Sequence, residues 1–509
     1  MSESLTQSQP NPISLQLPQP NFVSVDNPSG EDCDVLVIGL CEDRKLSAVA
    51  KQVDQLLGGS LSRLIDRDKI SGESGETLLI AGPGAAGQDS AASLVLLIGL
   101  GDRAKLARES AFNLSSTAIR ALGGKPHRKV VVALAEAFPA ACHDAIVAGL
   151  LFGLECQAIY RTKPAIEVPD TIALAGIESD HITRGQILGD SVNLARRLVN
   201  EPASVVYPES FAATAESLAE QIGLSCEVWD EHRLVEENCR AILAVGGGSE
   251  RPPRLLILQH RGGAEGDPPL AIVGKGVTFD SGGLSIKPSD GMVDMKCDMG
   301  GAATVLGTMH ALAKMGVKKN VIGLCGLAEN MVSGSSYKLG DVIRTRSGKT
   351  IEILNTDAEG RVVLSDTLDV AIGFKPKAMV DLATLTGACM VALGQEVAGA
   401  MTNDQSVCDA VMLAAREEGE PVWQLPMYQL YDEKVQSKVA EIKNVGEGRW
   451  GGAITAAKFL ENFVGDTPWV HLDIAGPAFT DAPKPHRDAG ATGVMVRALV
   501  RWVESEVQA

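Results

Sequence analysis

Three short segments place charge where the flanking sequence is apolar. NTDAEGR (355–361) sets two carboxylates and a guanidinium in seven positions, directly after TIEIL. VGKGVTFDSGG (273–283) carries Lys275 at the end of the run LAIVG and Asp280 ahead of a glycine pair. MKCDMGGAATVLG (295–307) sets Asp298 at the start of a helix-like stretch. In an open parallel sheet the strand ends and helix starts share one edge, and ligands bind there. Asp280, Asp298, Asp357 and Glu359 are therefore expected to converge, with Lys275, Lys287 and Arg361 close by.

Four carboxylates stay ionised in a dry pocket only if cations offset them. Basic side chains supply part of that charge and divalent metals more. Oxygen-rich clusters suit Mg²⁺ or Mn²⁺, and Zn²⁺ also accepts carboxylates. No HExxH occurs, and the 8 histidines are scattered. Asp357 and Glu359 lie two apart, so an extended backbone projects both to one side, where they chelate one ion or bridge two. Two ions about 3.5–4 Å apart activate a shared water against a carbonyl or a phosphoryl group. Each segment alone has a plainer reading: Asp298 as a helix N-cap, VGKGVTFDSGG as a turn, Lys287 as a solvated lysine, NTDAEGR as a capped loop with an internal salt bridge. Their coincidence at strand ends within about 90 residues favours a shared site.

The elements that position these segments read as α/β. A chain of 509 residues exceeds one ordinary domain. Residues 1–30 are rich in Ser, Gln, Pro and Asn and read as a flexible or loosely docked arm. CDVLVIGL, SLVLLIGL, KVVVALA and TIALAGI then alternate with amphipathic stretches, which predicts a mostly parallel sheet in a first unit over 31–178. HITRGQILGDSVNLARRLVN has helical periodicity and reads as a linking helix over 179–200. A second α/β unit, 201–509, has LLILQH, LAIVGKG, VIGLCGLAEN and MVDLATL as buried strands.

A formal charge of −18 argues against broad phosphate-backbone binding, and KPHRK (125–129) is the one compact basic run before the linking helix. The ten cysteines form no CxxC pair and read as small core residues of a reducing compartment. No apolar run is long enough to span a membrane, and the N-terminal stretch lacks the charge and apolar core of a signal peptide, so the cytoplasm is expected.

Taken in order, VGKGVTFDSGG, MKCDMGGAA, NTDAEGR and DLATLTGA resemble the leucyl aminopeptidase family of dinuclear-metal exopeptidases. The resemblance continues through GLAENM, EPVWQLPM, GGAITAAKFLENF and WVHLDIAGPA and covers about residues 190–509. It implies a smaller N-terminal α/β domain, a linking helix and a larger catalytic α/β domain. It implies two divalent ions per subunit, Mn²⁺ or Zn²⁺, with Mg²⁺ or Co²⁺ as further candidates at the exchangeable site. Lys275, Asp280, Asp298 and Glu359 hold the tighter ion in such enzymes, and Asp280, Asp357 and Glu359 the other. Lys287 and Arg361 match the catalytic pair, with a bicarbonate at Arg361, and Met295, Thr384, Gly387 and Ala475 match the pocket for the first side chain. The implied substrates are peptides with an apolar first residue, often Leu, and the implied assembly is a homohexamer. Leu339 and Val362 depart from the usual family residues, and neither is a proposed ligand. A two-metal phosphoesterase is the nearest rival, and DNA binding a disfavoured second.

Overall fold

The computed structural model describes residues 11–86, 91–448 and 450–508. Two sheets dominate, each built from the apolar runs read above. The N-terminal sheet comprises β1 (Asn21–Val25), β2 (Val35–Cys41), β3 (Thr77–Ala81), β4 (Leu94–Gly101), β5 (Lys129–Ala133) and β6 (Thr171–Ala175). Its order is β1-β6-β5-β2-β4-β3, parallel throughout except for the edge strand β3. β2 and β4 are buried nearly end to end, as strands covered on both faces must be.

Over residues 11–30 the N-terminal arm takes the docked form of the two expected for it. Residues 21–25 pair in parallel with 171–175 and supply the hydrogen bonds that the edge of β6 otherwise lacks. Upstream, Ile13, Leu15 and Leu17 pack half-buried against the main core, and the Ile13 N–H donates to Thr214 Oγ1. Polar composition conceals this docking, because the apolar residues alternate singly instead of forming a run. Residues 1–10 of the expected arm lie outside the described residues.

The larger sheet contains β7 (Ser225–Trp229), β8 (Arg254–Arg261), β9 (Leu270–Asp280), β10 (Asn320–Asn330), β11 (Ala378–Ala383), β12 (Ala398–Thr402), β13 (Val422–Gln424) and β14 (Trp469–Asp473). The order is β13-β12-β14-β11-β9-β10-β8-β7. The four central strands β14, β11, β9 and β10 are mutually parallel, and antiparallel pairs occur only to their outside. Register puts the end of β9 beside that of β10, Asp280 against Asn330, and the end of β11 beside that of β14, Ala383 against Asp473. Four strands thus end at one edge.

Helices α1 (Arg108–Leu122) and α2 (His143–Leu154) cover the first sheet, and α3 (Ser179–Asn200) packs between α2 and α4 (Gly300–Met315) of the second. Arg196 of α3 is fully buried, stacks on Phe152 at 4.0 Å, and donates to the carbonyls of Phe152, Glu155 and Ala491. Charged pairs add to this seam. Arg108 reaches Asp144 at 2.6 Å and Glu418 at 2.7 Å, and Arg184 joins Asp144 at 3.0 Å to Glu504 at 2.7 Å. Burial pushes the Asp144 carboxyl up, but Arg108 and Arg184 outweigh it and hold the group below its usual 3.8. Such a depressed group stabilises the fold above the unfolded value and ceases to do so as pH falls through the folded one. Asp144→Asn is therefore expected to lower stability by about 3 kcal/mol at neutral pH. Its deficit in melting temperature should hold steady down to about pH 5 and shrink below about pH 4. Scanning calorimetry at several pH values checks this, and a deficit that grows on acidification refutes the role given to Asp144.

The expected basic run at 125–129 is partly neutralised. Arg128 lies 3.3 Å from Asp32, and Lys129 forms an ion pair with Glu31. Among the described residues, no helix is long and apolar enough to cross a membrane. All ten cysteines are free, eight of them buried.

Candidate metal centre

The charged segments meet at the edge where the central strands end. Asp280 closes β9, and its Oδ1 accepts from the Gly282 N–H at 2.9 Å and from Asn330 Nδ2 at 2.8 Å. Oδ2 of the same carboxylate lies 2.9 Å from Lys287 Nζ, which also stands 2.5 Å from Asp357 Oδ1. One oxygen each of Asp280, Asp357 and Glu359 falls within 4.8 Å of the other two. Asp357 is not extended as expected. It sits in a turn, and Glu359 opens helix α5 (Glu359–Ile372), so the curl of the chain, not strand alternation, brings the two acids together.

Asp298 occupies a 3-10 turn, Met295–Met299, just before α4. It does not cap that helix. Its Oδ1 instead accepts from Lys275 Nζ at 2.7 Å and Thr384 Oγ1 at 2.7 Å. Lys275 projects from β9, 3% exposed, and also lies 2.9 Å from Glu359 Oε1 and 3.0 Å from the Thr384 carbonyl. Two glycines make room for this. A Cβ at Gly360 would meet Lys275 Cε at 2.3 Å, and one at Gly282, where φ is +86°, would meet Asp357 Oδ1 at 2.8 Å. Lys287 is no solvated lysine, being 17% exposed between its two acids.

Electrostatics sort these groups. Burial, then the neighbouring Glu359 charge, pushes the Asp280 carboxyl up to about 6. Burial also raises Asp298 and Asp357. For Glu359 burial acts upward, yet Lys275 outweighs it and the group ends below its ordinary value. Burial presses both lysines toward the neutral amine, but the surrounding carboxylates win and raise both. Arg361 sits 8% exposed in the first turn of α5; burial lowers it to about 10, offset in part by Glu359 and Asp473, and its Nε has no hydrogen-bond partner among the described residues.

Among the described residues, Asp298 Oδ2 and Glu359 Oε2 are buried without a hydrogen-bond partner. Unmet buried carboxylate oxygens are unfavourable. Hard oxygen donors with one amine suit divalent cations, which would also oppose the ammonium form of Lys275. The residues present fit such ions.

All seven charged residues line one cavity of about 1080 Å³, joined by Met295, Thr384, Gly387 and Ala475. Met390, Val391, Leu425 and Ile454 extend its wall with apolar surface. No histidine lines it among the described residues. Two supporting residues escape sequence reading. Asn330 donates to Asp280 Oδ1 and to the Thr356 carbonyl. Asp473 accepts from the Leu385, Thr386 and Ala475 N–H groups and the Thr386 hydroxyl, fixing the turn that carries Thr384. The signal available for each was a polar residue closing an apolar strand.

The family model for the catalytic domain of the cytosol aminopeptidase family matches residues 193–500, and that for the family's N-terminal domain matches 37–164. A probable cytosol aminopeptidase of Rhodopirellula baltica is 58% identical over 502 residues, covering 96% of this chain and 98% of its own. One from Geobacter sulfurreducens is 40% identical over 487 residues, covering 94% and 97%. Among solved structures, a mutant tomato leucine aminopeptidase superposes with a TM-score of 0.86 at 33% identity, covering 97% of this chain and 98% of that one. The bottromycin maturation enzyme BotP in complex with Mn gives 0.83 at 34% identity, covering 93% and 100%.

Proposed function

The chain belongs to the cytosol aminopeptidase family, as a metallo-aminopeptidase, and on that premise we propose a dinuclear enzyme that releases Leu and other apolar residues from peptide N-termini. The observation that carries the proposal is the pair of unpartnered buried oxygens, Asp298 Oδ2 and Glu359 Oε2, beside the convergent Asp280 and Asp357. Lys275, Asp280, Asp298 and Glu359 would hold one ion, and Asp280, Asp357 and Glu359 the second, more exchangeable one. The Mn complex of BotP supports Mn²⁺ as one candidate, and Zn²⁺, Mg²⁺ and Co²⁺ remain candidates by donor type.

The chemistry expected of two such ions is activation of water and polarisation of a carbonyl. Lys287 supplies a fixed ammonium at the cavity wall, placed to donate to the oxyanion that develops on the scissile carbonyl. Arg361 would hold a bicarbonate through its guanidinium, and such an anion would supply a base at a cavity whose described lining residues include no histidine. Met295, Thr384, Gly387 and Ala475 receive the first side chain, and the apolar wall excludes water from it. This wall also stands against a phosphoester substrate. The wider reading includes a cytosolic homohexamer, with the first domain over 31–178, the linking helix over 179–200 and the catalytic domain over 201–509.

Leucine p-nitroanilide hydrolysis by metal-free, Mn²⁺-loaded and Zn²⁺-loaded protein tests this, with p-nitrophenyl phosphate as the comparison substrate. Amide hydrolysis that returns with metal is expected. Metal uptake without it, or phosphate release in its place, overturns the reading.

A further inference from the structure

A second cavity, of about 210 Å³, lies between the N-terminal and catalytic domains, away from the charged centre. α1 contributes Glu109, Phe112 and Asn113 to it, and the catalytic domain contributes Glu420, Arg487 and Arg497. Arg497, in the first turn of α7 (Val496–Gln508), is 8% exposed and stacks on the Phe112 ring at 3.9 Å. Its nearest acids, Glu418 and Glu420, stand at 3.7 and 3.9 Å, beyond hydrogen-bond reach, and its Nη1 is buried with no hydrogen-bond partner among the described residues. Glu420 is engaged elsewhere through both oxygens and Glu418 through Oε1 alone; Glu418 Oε2, the oxygen nearest Nη1, is also buried without a hydrogen-bond partner among the described residues. Glu420 accepts from the N–H groups of Met495 and Ala498, and Glu418 accepts from Arg108 and Arg501.

A guanidinium presents five donors in a planar fork, and leaving them unmet in a buried site is unfavourable. A carboxylate matches that fork with two parallel hydrogen bonds. Charge narrows the ligand further. Lys484, Arg487 and Arg497 face Glu109, Glu396 and Glu420 around the cavity. His486 adds no charge near neutrality, because burial, then Arg487 and Lys484, lowers it to about 4. A wall of balanced charge disfavours a dianion and accepts a zwitterion. The volume corresponds to about seven waters at liquid density, room for a single amino acid.

We propose that this interdomain cavity binds a free α-amino acid, its carboxylate on Arg497 and its ammonium toward Glu109 at the rim. The site also adjoins the catalytic cavity. Gln395 and Glu396 follow helix α6 (Gly387–Leu393), which helps to line the catalytic cavity, and Pro477 lies two residues beyond Ala475 of the same wall. The two segments touch, since a Cβ at Gly476 would meet the Gly394 carbonyl at 2.7 Å. A ligand here therefore bears on the walls of the first-side-chain pocket. That the ligand belongs to the class of product released there rests on the peptidase reading; the binding itself does not.

Equilibrium dialysis of radiolabelled L-leucine against full-length wild type, Glu359→Gln, Arg497→Met and Glu109→Gln tests the site. The expected result is a binding component that survives Glu359→Gln and weakens about tenfold or more in Arg497→Met. Glu109→Gln, at an exposed position, should weaken it as well, so the test stands even if Arg497→Met fails to fold. Both variants should hydrolyse leucine p-nitroanilide at the wild-type rate when no leucine is added. Arg497-dependent binding in a protein without peptidase activity would sink the peptidase reading and leave this site standing. The proposal is overturned if all leucine binding disappears with Glu359→Gln, if Arg497→Met and Glu109→Gln both bind as wild type, or if inorganic phosphate outcompetes leucine for the Arg497-dependent component.

Discussion

Glu359→Gln is expected to lower kcat for leucine p-nitroanilide at least about a thousandfold, with the folded assembly retained. The side chain is 1% exposed at the start of α5, one oxygen on Lys275 and the other without a hydrogen-bond partner among the described residues. Glutamine keeps the shape, so packing around α5 changes little. It removes the charge that both proposed ion sites share. Amide nitrogen cannot ligate a cation, and amide oxygen does so far more weakly than a carboxylate. Lys275 loses its second carboxylate at the same time, leaving Asp298 as its charged hydrogen-bond partner. Two readouts together decide the matter: metal content of the purified variant by mass spectrometry, and kcat with saturating Mn²⁺. Loss of bound ion together with rate is the expected pair. A variant that retains two ions per subunit and a near-wild-type rate would remove Glu359 from the centre.

How much of this was legible in the sequence depends on whether a feature is local. The strands around the site are runs such as LAIVG and VIGLCGLA, whose continuous apolar character follows from burial on both faces. The ligand candidates interrupt those runs, which is why Asp280, Asp298, Asp357 and Glu359 stood out. Two features were not local, and a third is local but takes another backbone conformation. Asp298 looks like an N-cap until the fold brings Lys275 and Thr384 to it. The proximity of Asp357 and Glu359 arises from a turn into a helix, where strand alternation suggested the same closeness for a different reason. Asp473, about 112 residues beyond Arg361, organises the Thr384 turn through register between β11 and β14, and nothing near it in sequence signals that partner. The docked segment around β1 was concealed by the same limit, since its edge is completed by residues about 150 positions away.

Lys287→Met should separate two roles that Glu359 combines. Lys287 Nζ lies between Asp280 and Asp357, the two acids that with Glu359 form the compact triad. Its ammonium therefore occupies, electrostatically, the ground that a divalent cation would take. Burial acts to neutralise it, but Asp280 and Asp357 raise its pKa, so it is charged throughout the physiological range. Removing that charge leaves both carboxylates in place with one fewer competitor. Metal affinity at the triad should hold or rise. The catalytic effect has the opposite sign. An ammonium fixed by two carboxylates at a cavity wall needs little reorganisation to meet a developing oxyanion, and losing one such donor lowers kcat by about 10²–10³. The expected signature is thus undiminished metal content and affinity with kcat down by that factor and KM little changed, because the donor acts in the transition state more than in the ground state. Titration calorimetry with Mn²⁺ and steady-state kinetics on one preparation read both sides. Should metal affinity and kcat fall together, Lys287 serves the architecture of the triad. Should neither move, its place between the two acids has no part in the reaction.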